Sequence, residues 1–584
     1  MFVAGTDGLA RRPTIDFLVF PLVLLSIDLM PILPIRSIFG SGVQRSAGCK
    51  IFKTSSVIKN LMTKLVLGVV IVTFTIQIGA EGLPELGDSS DAVVTAPQER
   101  AIGKRIMIEI RGDNAFVDDP ELVDYINSLG NKLVAGSRGA TNDNRRDFEF
   151  FLLNDDSINA FALLGGFVGI HSGLVLTTTN ESELTGVIGH EIAHVLQRHQ
   201  SRGADEQRKN APMSLLGLAA AILAARSNSP SSGQAVEAAI VTSQALAYQN
   251  QLNYTRDYER EADRLGLQIM QRAGFDPSGM PSFFERMLRA NRHNDGKTPG
   301  YLRTHPLTTE RIADMQDRVQ QMGVEGKRSV PDSFEYRLAF AKLRAISLGG
   351  TEAVSYFRNA IAERTILRNR ADVYGLGLAL YRTRDFAAAE REINSLRDTG
   401  FKHAWVENLA AQIQAGQRKW ANALTLYKTA MKTFPSQRAL VHGYIDTLYE
   451  AGKLDEALEA ANEELKTTQD DPQLYELAAK IYERKGKKLA QHRAIGEAYY
   501  RRDNLQGAIE QYNMAVKARD GDFYDSSSAE SRLRELKSLY KSRVLLPGEK
   551  RDKNEKDERD EKPGLRISSN ASRTPLTSFI PSHR

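Results

Sequence analysis

Three alanines, Ala389, Ala423 and Ala457, recur at intervals of 34 residues, following Asp385-Phe386, Lys419-Trp420 and at Leu454-Asp455. A repeat of that length is a helix-turn-helix unit that cannot bury its apolar face alone, so neighbouring units must stack to complete a core. Small residues recur where paired helices approach, large residues fill the adjoining groove, and Phe434-Pro435 stops the second helix of a unit. From about Phe334 the chain is therefore expected to form four or five helical pairs ending near 542, with Gly349-Gly350 in the loop of the first. Ala508 lies 51 residues beyond Ala457, one and a half periods, which predicts a break of phase near Lys485 to Gln491. Two equal intervals in succession disfavour an irregular bundle.

Thirty-four is the tetratricopeptide period, and such solenoids present a surface for another protein. The solenoid does not account for all 584 residues, and the length calls for several domains. A 42% hydrophobic content excludes a mainly disordered chain, and a mean hydropathy of −0.35 excludes a polytopic membrane protein. Cys49 is the single cysteine, so any metal must be held by histidines and carboxylates.

The net charge of +5 sits in the first eighty residues, which carry eight Lys/Arg against three Asp. Met62-Thr63-Lys64, the apolar run Leu65 to Phe74 and Ile78-Gly79-Ala80 read as a signal peptide over 62–80, with an uncut anchor helix as the alternative. Residues 1–61 then form a start-site over-extension or unstructured lead, and 81–97 a linker. Beyond Ala80 the basic and acidic residues balance at 69 each, so the charge argues for export and against nucleic acid.

Helical patterns are expected at Gln98 to Ile110 and Pro120 to Ala135, and short strands at Phe148 to Leu153 and Phe167 to His171. Thr179-Asn180 caps a further helix through Arg198, with Glu181 and Glu183 complementing its dipole. That helix contains His190-Glu191-Ile192-Ala193-His194. At about 100° per residue the two histidines share a face and reach one ion, while Glu191 reaches water beside it. His199, nine residues from His190, falls on the opposite face and is left out of the site. A catalytic zinc needs a third protein ligand. On the helical run Tyr254 to Ala273, Glu259 and Asp263 lie one turn apart, Glu259 as ligand and Asp263 as hydrogen-bond acceptor for a ligating histidine. On spacing alone the pair equally describes a charged helix face, and Glu261 points away into solvent.

Asn159-Ala160-Phe161, Gly165 through Ile170, Glu183-Leu184 before the histidine motif, Glu259 through Asp263, and Thr304-His305-Pro306 together resemble the HtpX-like and CAAX-prenyl-protease-like zinc metallopeptidases. The resemblance spans about residues 98 to 325, and Leu164 departs from it where many members carry proline. It implies a mainly α, gluzincin-type domain over 98–330, with a small sheet and two helices sandwiching one Zn2+ held by His190, His194 and Glu259. It also gives His305 a role, either donating to the oxyanion or occupying the fourth zinc position and holding the enzyme latent. Glu191 is the general base and acid.

Phe167, Val168, Gly169 and Ile170 are expected to offer an unpaired edge to an extended peptide, which suits unfolded or misassembled protein substrates. His171 is a substrate contact or an exposed strand end. Pro212 to Ala225 and Ala235 to Tyr248 read as a buried helical pair, with an active-site lid or peripheral membrane contact as the alternative. The solenoid occupies 334–542, and 546–584 is a charged, then Ser/Pro-rich, disordered tail. Peptidases of this kind joined to tetratricopeptide repeats resemble the periplasmic quality-control branch of the family. That implies a periplasmic role, repeats docked on outer-membrane assembly machinery, and stalled barrel proteins as substrates; the absence of cysteine beyond Ala80 is compatible with that oxidising compartment. The competing class is a chaperone or scaffold with a latent zinc site.

Overall fold

The computed structural model describes residues 95–138, 147–205, 255–292, 299–323, 330–363 and 366–544. The lead, signal peptide, nearly all of the linker, the stretches at Pro212 to Ala225 and Ala235 to Tyr248, and the tail lie outside the described residues.

Helix α1 (Ala96–Gly112) starts at a capping box between Thr95 and Gln98, and α2 (Pro120–Ser137) starts where Asp119 accepts from the backbone N–H groups of Glu121 and Leu122. Leu122, Ile126, Leu129 and Leu133 recur at helical spacing on α2 and are buried against the sheet. Burying each contributes roughly 1.5–3 kcal/mol relative to leaving it exposed.

The sheet has three strands, β1 (Glu149–Leu153), β2 (Ala160–Leu163) and β3 (Phe167–His171), in the order β1-β3-β2. β3 pairs in parallel with β1 and antiparallel with β2, every one of its residues buried. Phe167, Val168, Gly169 and Ile170 are therefore the centre of the sheet and offer no edge, because both sides of their backbone ladder are taken. β2 is the edge. It reaches β3 through Leu164-Gly165-Gly166, where both glycines have positive φ, 81° and 88°. A Cβ on Gly165 would stand 2.4 Å from the Arg100 Cα, so glycine is required there for conformation and for space.

After α3 (Ser172–Thr177), α4 (Glu181–Leu196) is capped by Asn180, which accepts from the Glu183 N–H. Leu184, Val187, Ile188, Ile192 and Ala193 are fully buried, so this helix runs through the core. It stops before the expected Arg198. Arg198 adopts the left-handed conformation at φ 53°, and a new helical segment begins at 199. Helix α5 (255–272) lies against α4, followed by α6 (Gly279–Arg292), α7 (Gly300–Thr304) and α8 (Thr309–Gln321).

The solenoid comprises twelve helices among the described residues, from Phe334–Ser347 to Phe523–Val544, which pair as six units. Helices starting at Phe386, Trp420, Leu454 and Lys488 keep the 34-residue period, so phase is unbroken at Lys485 to Gln491. Gln491 simply stands where Ala389, Ala423 and Ala457 stand, its N–H bonded to Lys487 as theirs are to Asp385, Lys419 and Lys453. Ala508 is half a period out because it belongs to the first helix of its pair. The turns repeat better than the alanines: Arg384, Arg418, Gly452 and Gly486, each 34 residues on, all have positive φ.

The solenoid also holds the peptidase region. Lys342 bridges Asp119 and Glu121 at 2.6 Å, Asn408 donates to Glu121 at 2.7 Å, and Arg438 pairs with Asp124 at 2.7 Å, all at the N-terminal half of α2 or its cap. Glu121 is buried, and burial pushes its carboxyl up even though Lys342 opposes the shift. Further along, Lys104 pairs with Asp503 at 2.7 Å.

Candidate metal centre

Four side chains from three elements converge. His190 and His194 project from α4, Glu259 from α5, and His305 follows α7 directly. One ligand atom from each can be chosen so that all lie within 4.8 Å of one another. His190 Nε2 is 3.0 Å from His194 Nε2, 3.4 Å from Glu259 Oε2 and 3.4 Å from His305 Nδ1, and Glu259 Oε1 is 2.9 Å from His305 Nδ1. Zinc–ligand bonds of about 2.0–2.1 Å in a tetrahedron put donors about 3.3–3.4 Å apart. A proton satisfies one pair of facing imidazole nitrogens, whereas a cation satisfies the whole set. Three imidazoles and a carboxylate therefore fit a divalent zinc-like ion.

Two arrangements orient His190 and His194. His190 Nδ1 lies 3.0 Å from Asp263 Oδ1, and Arg311 grips Asp263 through Nε and Nη2, both at 2.8 Å. Arg311 also sits 2.8 Å from Glu259 Oε2 and donates to the Pro306 carbonyl at 2.8 Å, tying both carboxylates to the loop that carries His305. Arg311 is not among the site residues read from the sequence, where its only signal is a cation in the first turn of α8 that opposes the helix dipole.

On the other side, His199 Nδ1 approaches His194 Nδ1 at 2.9 Å, and His199 Nε2 lies 3.2 Å from Glu261 Oε2, which Arg202 also binds at 3.0 Å. His199 is thus buried beside the site, and Glu261 is partnered where solvent was expected. The cause is the left-handed step at Arg198, which ends α4 and turns the following residue back toward His194. A straight helix would have carried His199 away.

Burial alone would lower His190, but its hydrogen bonds to Asp263 and Glu259 outweigh it and push the group up to about 9. Burial lowers His194, and burial with the neighbouring His194 and Arg202 pushes His199 down to about 2. Burial would raise Glu259, but His305, His190 and His194 hold it well below the usual carboxylate range, and against the same effect of burial His190 and Arg311 lower Asp263.

Glu191 is 1% exposed, and its Oε1 accepts no hydrogen bond from the described residues while lying 3.5 Å from His305 Nε2. Tyr301 stacks on the His305 ring, centroids 4.6 Å apart. His171 is turned inward and buried, bonded to Ser157 Oγ at 2.8 Å. The β2 edge is close: Ala162, Leu163, Leu164 and Gly165 line a small cleft with His194, and Gln200 donates to the Ala162 carbonyl.

The profile of Peptidase family M48 matches residues 122–319, and a tetratricopeptide-repeat profile matches 414–481. The beta-barrel assembly-enhancing protease of Escherichia coli O157:H7 is 34% identical over 429 residues, 72% of this chain and 84% of its own length. The Yersinia pestis protein of that name is 35% identical over 382 residues, 63% of this chain and 76% of its own. The mitochondrial metalloendopeptidase OMA1 of Schizosaccharomyces pombe is 31% identical over 187 residues, 32% of this chain and half of its own. With the His190, Glu191 and His194 motif set against Glu259 in the matched region, the chain belongs to peptidase family M48, as a metalloendopeptidase carrying tetratricopeptide repeats.

Proposed function

We propose that the protein is a zinc endopeptidase of the periplasm that hydrolyses misassembled or stalled outer-membrane proteins, its repeats docking on the assembly machinery. His190, His194 and Glu259 would hold one zinc per chain. The ion supplies Lewis acidity and brings the pKa of water toward neutrality. Glu191 takes the proton from the attacking water at Oε1 and returns it to the leaving amine. The observation that carries this is the buried Glu191 oxygen, without a hydrogen-bond donor among the described residues, beside the converged ligand atoms.

The peptide would lie along β2, the edge strand beside His194, and take over the Ala162 carbonyl from Gln200. Backbone pairing of this kind selects extended, unfolded chain over sequence. The solenoid surface against α2 is already used, so docking falls to the remaining faces. The names of the Escherichia coli and Yersinia pestis relatives support the envelope role. Among the described residues no helix is long and apolar enough to cross a membrane.

A second reading, a scaffold with a latent site, draws support from His305. Its Nδ1 lies among the ligand atoms, so His305 would fill the fourth position and must move before water and substrate enter. Glu191→Gln separates the two. The peptidase reading expects cleavage of an unfolded protein to fall by roughly 10²–10⁴-fold with zinc retained. Full restoration of envelope function by that variant, in cells lacking the protein, would favour the scaffold.

A further inference from the structure

We propose that His199 and Glu261 are positioning residues for the metal, forming a His194–His199–Glu261 relay that fixes the tautomer and ring orientation of His194. The proposal rests on His194 being a ligand and extends that reading to residues outside the metal-binding motif.

A neutral imidazole carries one N–H. His194 Nε2 faces His190 Nε2 at 3.0 Å and Glu259 Oε1 at 3.4 Å, so its lone pair belongs there and its proton on Nδ1. Among the described residues that proton's hydrogen-bond partner is His199 Nδ1, at 2.9 Å. His199 then carries its own proton on Nε2, which points at Glu261 Oε2, 3.2 Å away. The three groups have one self-consistent assignment, each N–H donating toward the carboxylate.

The middle ring is held rigidly. His199 is 4% exposed and stacks on Tyr258 with centroids 4.6 Å apart and planes 18° from parallel, and the Arg202 guanidinium lies over the Tyr258 ring, 4.8 Å from its centroid. Arg202 also donates to Glu261 at 3.0 Å, as Arg311 does to Asp263. Each ligand histidine is thus backed by a carboxylate clamped by an arginine. His190 reaches its carboxylate directly, and His194 needs His199 to span the gap.

The test is a zinc titration of the metal-free full chain against a chromophoric chelator at fixed pH, with far-UV circular dichroism reporting the fold. Loss of such outer partners typically weakens metal by about 10–100-fold. His199→Ala is expected to fall in that range, and His199→Asn, whose amide oxygen accepts from His194, to recover most of it. Glu261→Gln should weaken zinc by a smaller factor, and should have no further effect in the His199→Ala background, because the two act in series. Affinity within twofold of wild type for His199→Ala, or losses that simply add in the double variant, would overturn the relay. If His199→Ala does not fold, Glu261→Gln decides, and wild-type affinity there overturns it. His194→Ala is the control. Unchanged affinity in that variant would remove the ligand assignment itself, whereas a loss there with none at His199 removes only the relay.

Discussion

The same left-handed backbone step appears in the peptidase region at Arg198 and in the solenoid at Arg384, Arg418, Gly452 and Gly486. In the solenoid it recurs every 34 residues, is interchangeable between arginine and glycine, and does one job, turning the chain from one helix into its partner. At the end of α4 it occurs once and its side chain is not interchangeable. Arg198 pairs at 3.0 Å with Glu99, which is buried and also accepts from Ser201 Oγ. The step there sends His199 back to His194, and the side chain locks α1 onto the end of α4. A periodic region spreads its stability over equivalent, local choices, whereas the site concentrates it in residues that each serve several partners.

Substituting glycine at both kinds of step should therefore give opposite signs. Arg198→Gly relaxes φ but leaves Glu99 buried without its guanidinium, and stability in urea should drop by about 3–5 kcal/mol. An unchanged midpoint would mean that Arg198 is merely another turn residue. Acid should separate the regions too. His190, at about 9 in the absence of the ion, must lose a proton to bind metal, so apparent zinc affinity should rise by up to about tenfold per pH unit below that value. In the solenoid, Asp471 lies 2.7 Å from His442, and burial, which would raise it, is outweighed by His442 and Arg438, which hold it below the usual carboxylate range. Its contribution is present above the unfolded carboxylate pKa and lost only as pH falls through the lower folded value. Lowering the pH from 8 to 6 should thus release zinc while far-UV circular dichroism stays constant. Simultaneous loss of both would couple what the comparison keeps apart. The smallest effects belong to the turns: Arg418→Gly should stabilise, and Gly452→Ala destabilise, each by roughly 1 kcal/mol in thermal or urea unfolding.

What was legible in the sequence follows the same division. The helical pairs and their period follow from local spacing, whereas the supposed loss of phase, and with it a count of four or five pairs instead of six, comes from following alanines instead of turns. Gln491 replaces the small residue while Gly486 keeps the backbone conformation that sets the period. His190 and His194 were readable because their spacing is itself helical geometry. Glu259 and Asp263 were not readable by spacing, since their meaning depends on α5 packing against α4, and the family resemblance supplied it. His199 was discarded by extending a straight helix past Arg198. The edge strand was misplaced because β2, Ala160–Leu163, is four residues with a weak alternating pattern. Gly165-Gly166 was the available clue. Two glycines between short apolar runs signal a hairpin, and a hairpin partner on one side with β1 on the other leaves β3 no edge.

The central claim is that α4 and α5 together hold one catalytic zinc. It is tested most directly by elemental analysis of zinc per chain in the purified wild type, His190→Ala and Glu259→Ala. One zinc per wild-type chain, falling to near zero in both variants while the helical signal is kept, is the predicted result. A wild type without stoichiometric zinc, or a Glu259→Ala variant that keeps its full complement, would contradict it.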